Sequence, residues 1–201
     1  MPKTPQQNHL DPRQPLVVDT TKLPRQPGAT RALKRSVPAP EDLGLELIQV
    51  PKASELELDL VLTSVSEGVY VSGHVRGSLT GECGRCLNQI SESFDVSIAE
   101  LFAYADSTTE ETTDEDEVGR MQGDLLDLEP AVRDAVVLTL PTNPLCRPDC
   151  PGLCPECGVH FDDLPADHSH EEVDPRWAAL RNLAEHPGAA SPQIPGKMNE
   201  E

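Results

Sequence analysis

Between Leu43 and Phe102 apolar and polar side chains alternate along most of the chain, the period-two pattern of strands with one buried and one wetted face. Leu43, Leu45 and Leu47 open the series. Leu56, Leu58, Leu60 and Leu62 follow, interleaved with Glu55, Glu57 and Asp59. Glu67-Gly68 is a turn signal that joins this block to Val69, Val71, Gly73 and Val75 as a hairpin. Leu79 carries the pattern to a first pair of cysteines, and Phe94, Val96 and Ile98 resume it between Glu92, Asp95 and Ser97. The expectation is four or five antiparallel strands, arranged as a meander or small barrel. Upstream, Leu16-Val17-Val18 predicts a short strand, whereas Leu23 to Pro40, broken by Pro24, Pro27, Gly28 and Pro38, reads as an extended connector.

The period changes at Asp127-Leu-Glu-Pro130, where Asp127 or a neighbour suits a helix cap and Pro130 suits a first turn. Val132, Ala135, Val136, Leu138 and Leu140 supply an apolar face, and Pro141 and Pro144 end it. A second helix is predicted from Asp174 to Ala184, with Trp177, Leu180 and Leu183 on one side. The fold class is therefore α+β: an antiparallel sheet, then a Cys-rich zinc loop over 146–170 and C-terminal helices. One domain is expected over 14–184, with disordered tails at 1–13 and 185–201.

Charge changes this picture in two places. The 201-residue chain carries a net charge of −19, which argues against coating nucleic acid phosphates and against a DNA partner. Yet residues 1–40 hold Lys3, Arg13, Lys22, Arg25, Arg31, Lys34 and Arg35 against Asp11 and Asp19, a local +5 that leaves −24 for the remainder. Arg25, Arg31, Lys34 and Arg35 are thus the candidates for any RNA contact. The run 106–117, with seven acids in twelve residues and no apolar side chain, is expected to be a disordered loop. Aromatics are only 3% of residues and Pro plus Gly number 33, so the core must rest on Leu, Val and Ile, and a metal staple would help it. No signal-peptide core and no run of about 20 apolar residues is present, so the expected location is the cytoplasm, with no membrane partner.

The candidate chemistry lies in six cysteines: Cys83-x2-Cys86 and Cys146-x3-Cys150-x3-Cys154-x2-Cys157. In a reducing compartment such spacing points to metal ligands before disulfides. Cys154-Pro-Glu-Cys157-Gly158 has a stiff second position and a glycine free to take positive φ, the form of a zinc knuckle. With His168-Ser-His170 the chain offers eight ligands, enough for two tetrahedral sites, so one or two structural zinc ions are expected. Short loops favour Cys146, Cys150, Cys154 and Cys157 as one self-contained site and Cys83, Cys86, His168 and His170 as a second. An exchange of pairs between the two is the other reasonable partition. Four clustered thiolates leave no coordination position for a catalytic water, and no phosphate-binding loop, nucleophile elbow or paired-carboxylate arrangement accompanies them. The chain is therefore expected not to be an enzyme and to take no small-molecule substrate. A thiol-dependent redox protein working through its CxxC motifs is the alternative; it lacks the strand-to-helix setting that activates such pairs.

Gly81-Glu-Cys-Gly-Arg-Cys-Leu87, Asp127-Leu-Glu-Pro130, Leu138-Thr-Leu-Pro141, Leu145-Cys-Arg-Pro-Asp-Cys-Pro-Gly-Leu-Cys-Pro-Glu-Cys-Gly158 and Asp174-Pro-Arg-Trp177, in this order, resemble the YceD family. The resemblance covers most of residues 14–184. It implies a cytosolic bacterial ribosome-biogenesis factor, tied to accumulation of large-subunit ribosomal RNA and without enzymatic activity. It further implies a ribosomal protein or large-subunit ribosomal RNA as partner. Many members close the cysteine block with another Cys-x-Cys where this chain has His168-Ser-His170, an exchange that keeps ligand capacity for zinc.

Overall fold

The computed structural model describes residues 9–107, 118–170 and Arg176. The tail residues 1–8 and 185–201, the acidic residues 108–117 and all of the second helix expected over 174–184 except Arg176 lie outside the described residues. The chain divides into two compact units, Met1–Leu153 and Cys154–Glu201, where the sequence pattern predicts one domain.

The first unit holds the strands β1 (Val17–Asp19), β2 (Thr30–Pro38), β3 (Ile48–Gln49), β4 (Glu55–Ser64), β5 (Gly68–Glu82), β6 (Gln89–Ala103), β7 (Gly119–Arg120) and β8 (Leu125–Asp127), and the helix α1 (Glu129–Thr139). Six of the strands form one sheet in the order β2-β4-β5-β6-β7, with β3 beside β5. The pairings are antiparallel except β6 with β7, and β2 does not pair with β7, so the arrangement is an open meander and not a barrel. Alternation does what the pattern predicts in β4: Leu56, Leu58, Leu60 and Leu62 are buried, and Glu55, Glu57 and Val61 are exposed. β5 and β6 pair over fifteen residues each, from Gly68↔Ala103 to Glu82↔Gln89, which places the residues between them at the far tip of a long hairpin. Gly73 is required inside that hairpin: its φ is +145°, and a Cβ there would sit 2.2 Å from the Asp59 carbonyl oxygen of β4.

Two expectations about strands need correction. The connector expected over Leu23–Pro40 contains β2, paired with β4 from Thr30↔Thr63 to Pro38↔Glu55. The alternating block at Leu43–Ile48 is mostly a turn: Leu45 N–H donates to Ile48 O, Val50 N–H donates to Leu43 O, and only Ile48–Gln49 joins the sheet.

The positions facing inward on β2 include Arg31 and Arg35, and their guanidinium groups explain both the missing apolar signal and the tolerance for it. β1 and β8 pair through one edge of β1. On the opposite edge, Arg31 Nη1 donates to Asp19 O at 3.0 Å and Arg35 Nη2 donates to Val17 O at 3.2 Å and to Pro15 O. Carbonyls 15, 17 and 19 share one side of an extended chain, so the two arginines satisfy a strand edge that would otherwise lack partners. Burial holds the Arg35 guanidinium below the usual arginine range.

α1 begins after Leu128, with Glu129 N–H donating to Asp127 Oδ1 at 2.9 Å and Pro130 in the first turn, as the sequence predicts. Val132 and Val136 are fully buried in the core with Leu128 and Leu140. Leu138, expected on the same face, is 84% exposed, because the buried stripe follows the i, i+4 spacing of 132, 136 and 140. Arg133 pairs with Glu129 at 2.9 Å and donates to the Asp42 and Glu41 carbonyls, tying α1 to the loop after β2.

Arg35→Ala is expected to lower stability by about 1 kcal/mol, the cost of removing a charged donor from the part-buried Val17 carbonyl, measured by urea unfolding. Lys34→Ala, which removes only an exposed pair with Asp59, is expected to leave the unfolding midpoint unchanged.

Candidate metal centres

The tip of the β5–β6 hairpin is the turn Cys83-Gly-Arg-Cys86-Leu-Asn88. Cys83 N–H donates to Asn88 O at 2.9 Å, and Leu87 N–H donates to Cys83 O at 2.9 Å. The second unit starts with a turn of the same design. Cys154 N–H donates to Val159 O at 2.9 Å, and Gly158 N–H donates to Cys154 O at 2.8 Å. In both turns the residue after the second cysteine has positive φ, +60° at Leu87 and +69° at Gly158. Glycine takes this conformation freely, while a side chain such as Leu87 costs about 1–2 kcal/mol.

Each turn serves a separate group of four ligands. Cys83, Cys86, Cys146 and Cys150 bring their sulfurs within 4.8 Å of one another in the first unit, and Cys154, Cys157, His168 and His170 do the same in the second. The partition favoured by short loops is therefore not the one in the structure; the pairs are exchanged. The reason is topological. Lengthening a loop costs only about 0.6 kcal/mol per doubling, and the long hairpin together with α1 has already brought residues 144–150 back to the hairpin tip. There Gly84 N–H donates to Pro144 O at 2.8 Å and Arg85 Nη1 donates to Cys150 O at 2.8 Å. Ile90, Leu145 and Leu153 pack around the group, and three of its four cysteines are buried.

The spacings fit a four-coordinate ion. Sulfur ligands about 2.3 Å from a tetrahedral centre lie about 3.8 Å apart, and a nitrogen about 2.0 Å from it lies about 3.5 Å from each sulfur. Cys86 and Cys146 Sγ are 3.6 Å apart and Cys83 and Cys150 Sγ 3.8 Å apart. His168 Nε2 is 3.4 Å from Cys154 Sγ and 3.7 Å from Cys157 Sγ. All six thiols are free, and the measured sulfur separations far exceed a disulfide bond of about 2.05 Å.

Electrostatics gives the same reading. Burial alone would raise Cys83, but backbone N–H groups of Cys146, Arg85 and Cys86 aimed at its sulfur outweigh it and lower its pKa to about 6. Cys154 is also lowered to about 6, first by the Cys157 N–H, then by His168, against burial. Cys146 moves the other way, pushed up to about 12 by the neighbouring Cys86 sulfur, by burial, and by Cys150 and Cys83. Cys86 is raised as well: the Asn88 N–H favours its thiolate, yet burial and Cys83 prevail. Four sulfurs this close cannot all ionise against mutual repulsion, and a divalent cation at their centre removes that repulsion. Two Cys/His clusters that could hold metal ions are thus present among the described residues.

The candidate RNA-contacting residues stand elsewhere and have partners within the chain. Arg25 pairs with Asp124 at 3.0 Å and lies 4.8 Å over the Tyr104 ring. Lys34 pairs with Asp59 at 2.9 Å. Arg31 and Arg35 are committed to β1, so 25–35 is folded structure in place of a free basic arm. Sequence reasoning missed the positive φ at Leu87; the matching Cys-x2-Cys spacing of the two turns was the available signal for it.

A β-sheet unit whose hairpin tip is closed by four thiols, followed by a Cys2His2 turn, defines a class of cysteine-knuckle proteins. The chain belongs to the YceD family, described as "Large ribosomal RNA subunit accumulation protein YceD", which matches residues 71–184 and so takes in every one of the eight ligands. Membership supports a ribosome-related role. The chain is 52% identical to "Uncharacterized protein Rv2926c" of Mycobacterium tuberculosis over 166 residues, 83% of this chain and 80% of that one. "Uncharacterized protein ML1660" of Mycobacterium leprae is 44% identical over 84% of this chain and 77% of its own length. "Uncharacterized protein YlbN" of Bacillus subtilis is 26% identical over 54% of this chain and 62% of its own. No solved structure matches the chain. No helix among the described residues is long and apolar enough to cross a membrane.

Leu87→Gly is expected to stabilise the protein by up to about 1 kcal/mol, because relief of the positive-φ strain exceeds the added freedom of the unfolded chain. Thermal melting checks it, and an unchanged or lower Tm contradicts the strain at this turn.

Proposed function

We propose that this protein is a non-catalytic, cytoplasmic factor in large ribosomal subunit biogenesis, held in shape by two structural zinc ions. The observation that carries the reading is the closure of both ligand groups. Each offers four N or S donors within 4.8 Å of one another, so an ion bound by all four has no position left for water or substrate, which is the arrangement of structural and not catalytic zinc. Four thiolates, or two thiolates with two imidazoles, are also the donor sets that zinc prefers in a reducing compartment. Family membership supplies the ribosomal context. The direct partner in this reading is a large-subunit ribosomal protein or the RNA it binds, with contact through protein favoured because a chain of −19 repels phosphate.

Two tests follow. Protein purified without added metal is expected to contain two zinc ions per chain by elemental analysis. Cys150→Ser is expected to reduce this to one and to lower the Tm; metal-free wild type with a rapidly alkylated thiol would instead favour redox chemistry. Since bound cysteine and histidine must be deprotonated, acidification is expected to release zinc, measured with a chromogenic chelator. Cells depleted of the protein are expected to lose large-subunit ribosomal RNA relative to small-subunit RNA, and an unchanged ratio would contradict the ribosomal role.

A further inference from the structure

The second ligand group does more than close a turn. From Cys154 to His170 the one buried side chain is Cys154, and the 3-10 turn Phe161–Asp163 buries none. With no apolar core, this segment depends on its four ligands to offset the entropy of ordering it. What it displays is apolar: Val159 and Phe161 are each 41% exposed, two of only six large hydrophobic side chains so exposed among the described residues. Val159 and Phe161 flank His160, whose backbone is extended at φ −63° and ψ 134°. Around them the segment carries the exposed acids Glu156, Asp162, Asp163 and Asp167, and no Lys or Arg lies between Cys154 and His170.

We propose that the metal-loaded Cys154–His170 segment is a docking surface for a basic protein segment, which places an apolar anchor on Val159 and Phe161 and basic side chains against the surrounding acids. An apolar pair rimmed by charge of one sign is the composition of a small recognition site, and the sign selects a cationic protein over RNA. The proposal deepens the ribosome-related reading above and rests on it: ribosomal proteins are the cationic class at hand. Metal occupancy then governs binding, since an unordered segment does not present the pair.

The test uses the tagged full-length chain with its zinc in place, offered the proteins stripped from purified large ribosomal subunits and, separately, the protein-free RNA. Wild type is expected to retain a basic protein, and the double variant Val159→Ser/Phe161→Ser to weaken that retention by about tenfold or more with zinc content unchanged. Cys157→Ser is expected to give the same loss, and Leu138→Ser, which removes an exposed apolar group on α1, to give none. Retention unaffected by the double variant overturns the docking surface and leaves the ribosomal reading standing. Retention of RNA in place of protein, or self-association abolished by the double variant, also overturns it. If wild type retains neither protein nor RNA, the ribosomal reading fails and this surface with it.

Discussion

The structure depends on one electrostatic problem, the gathering of four sulfurs at a hairpin tip where they cannot all be charged. Cys83 and Cys146, drawn to about 6 and about 12 respectively, show the conflict within a single group. A divalent ion held there, as proposed, would resolve it and join three pieces of chain in one bond set: the end of β5, the start of β6 and the segment after α1. The sheet needs this help at that end. Its core of Leu, Val and Ile is centred on β4, the adjoining parts of β5 and β6, and α1, whereas the tip is lined by Ile90, Leu145, Leu153 and the cysteines themselves.

The two knuckles are built alike and used differently. Both have the same pair of backbone hydrogen bonds and the same positive-φ residue after the second cysteine, so backbone geometry sets the bite of each Cys-x2-Cys pair. The remaining ligands set the character. Two further thiols and a buried setting suit the first group to the proposed role of a staple for the sheet. Two histidines and an exposed setting distinguish the second, whose order is proposed to follow its metal.

Much of this was visible in the residues. The alternation of leucines and acids gave β4 and its hairpin with β5, and Pro130 with Asp127 gave the start of α1. β2 escaped because its inward positions include Arg31 and Arg35, whose value lies in the carbonyls of β1 and not in hydrophobic period. All eight residues that the structure gathers into two clusters could be named from spacing, but their partition could not. Counting residues between cysteines treats the chain as a free loop, and it misses that a hairpin with fifteen-residue strands and a helix return Cys146 and Cys150 to Cys83 and Cys86. Charge counted along the chain likewise does not reveal that Arg25 pairs with Asp124 and Lys34 with Asp59.

The most direct test of the account is proton–metal correlation NMR on protein loaded with NMR-active cadmium, which reports the cysteines bonded to each ion. The account predicts two ions, one coupled to Cys83, Cys86, Cys146 and Cys150 and the other to Cys154 and Cys157 with the two histidines. A single ion coupled to Cys146, Cys150, Cys154 and Cys157, or no coupling at Cys83, would contradict it.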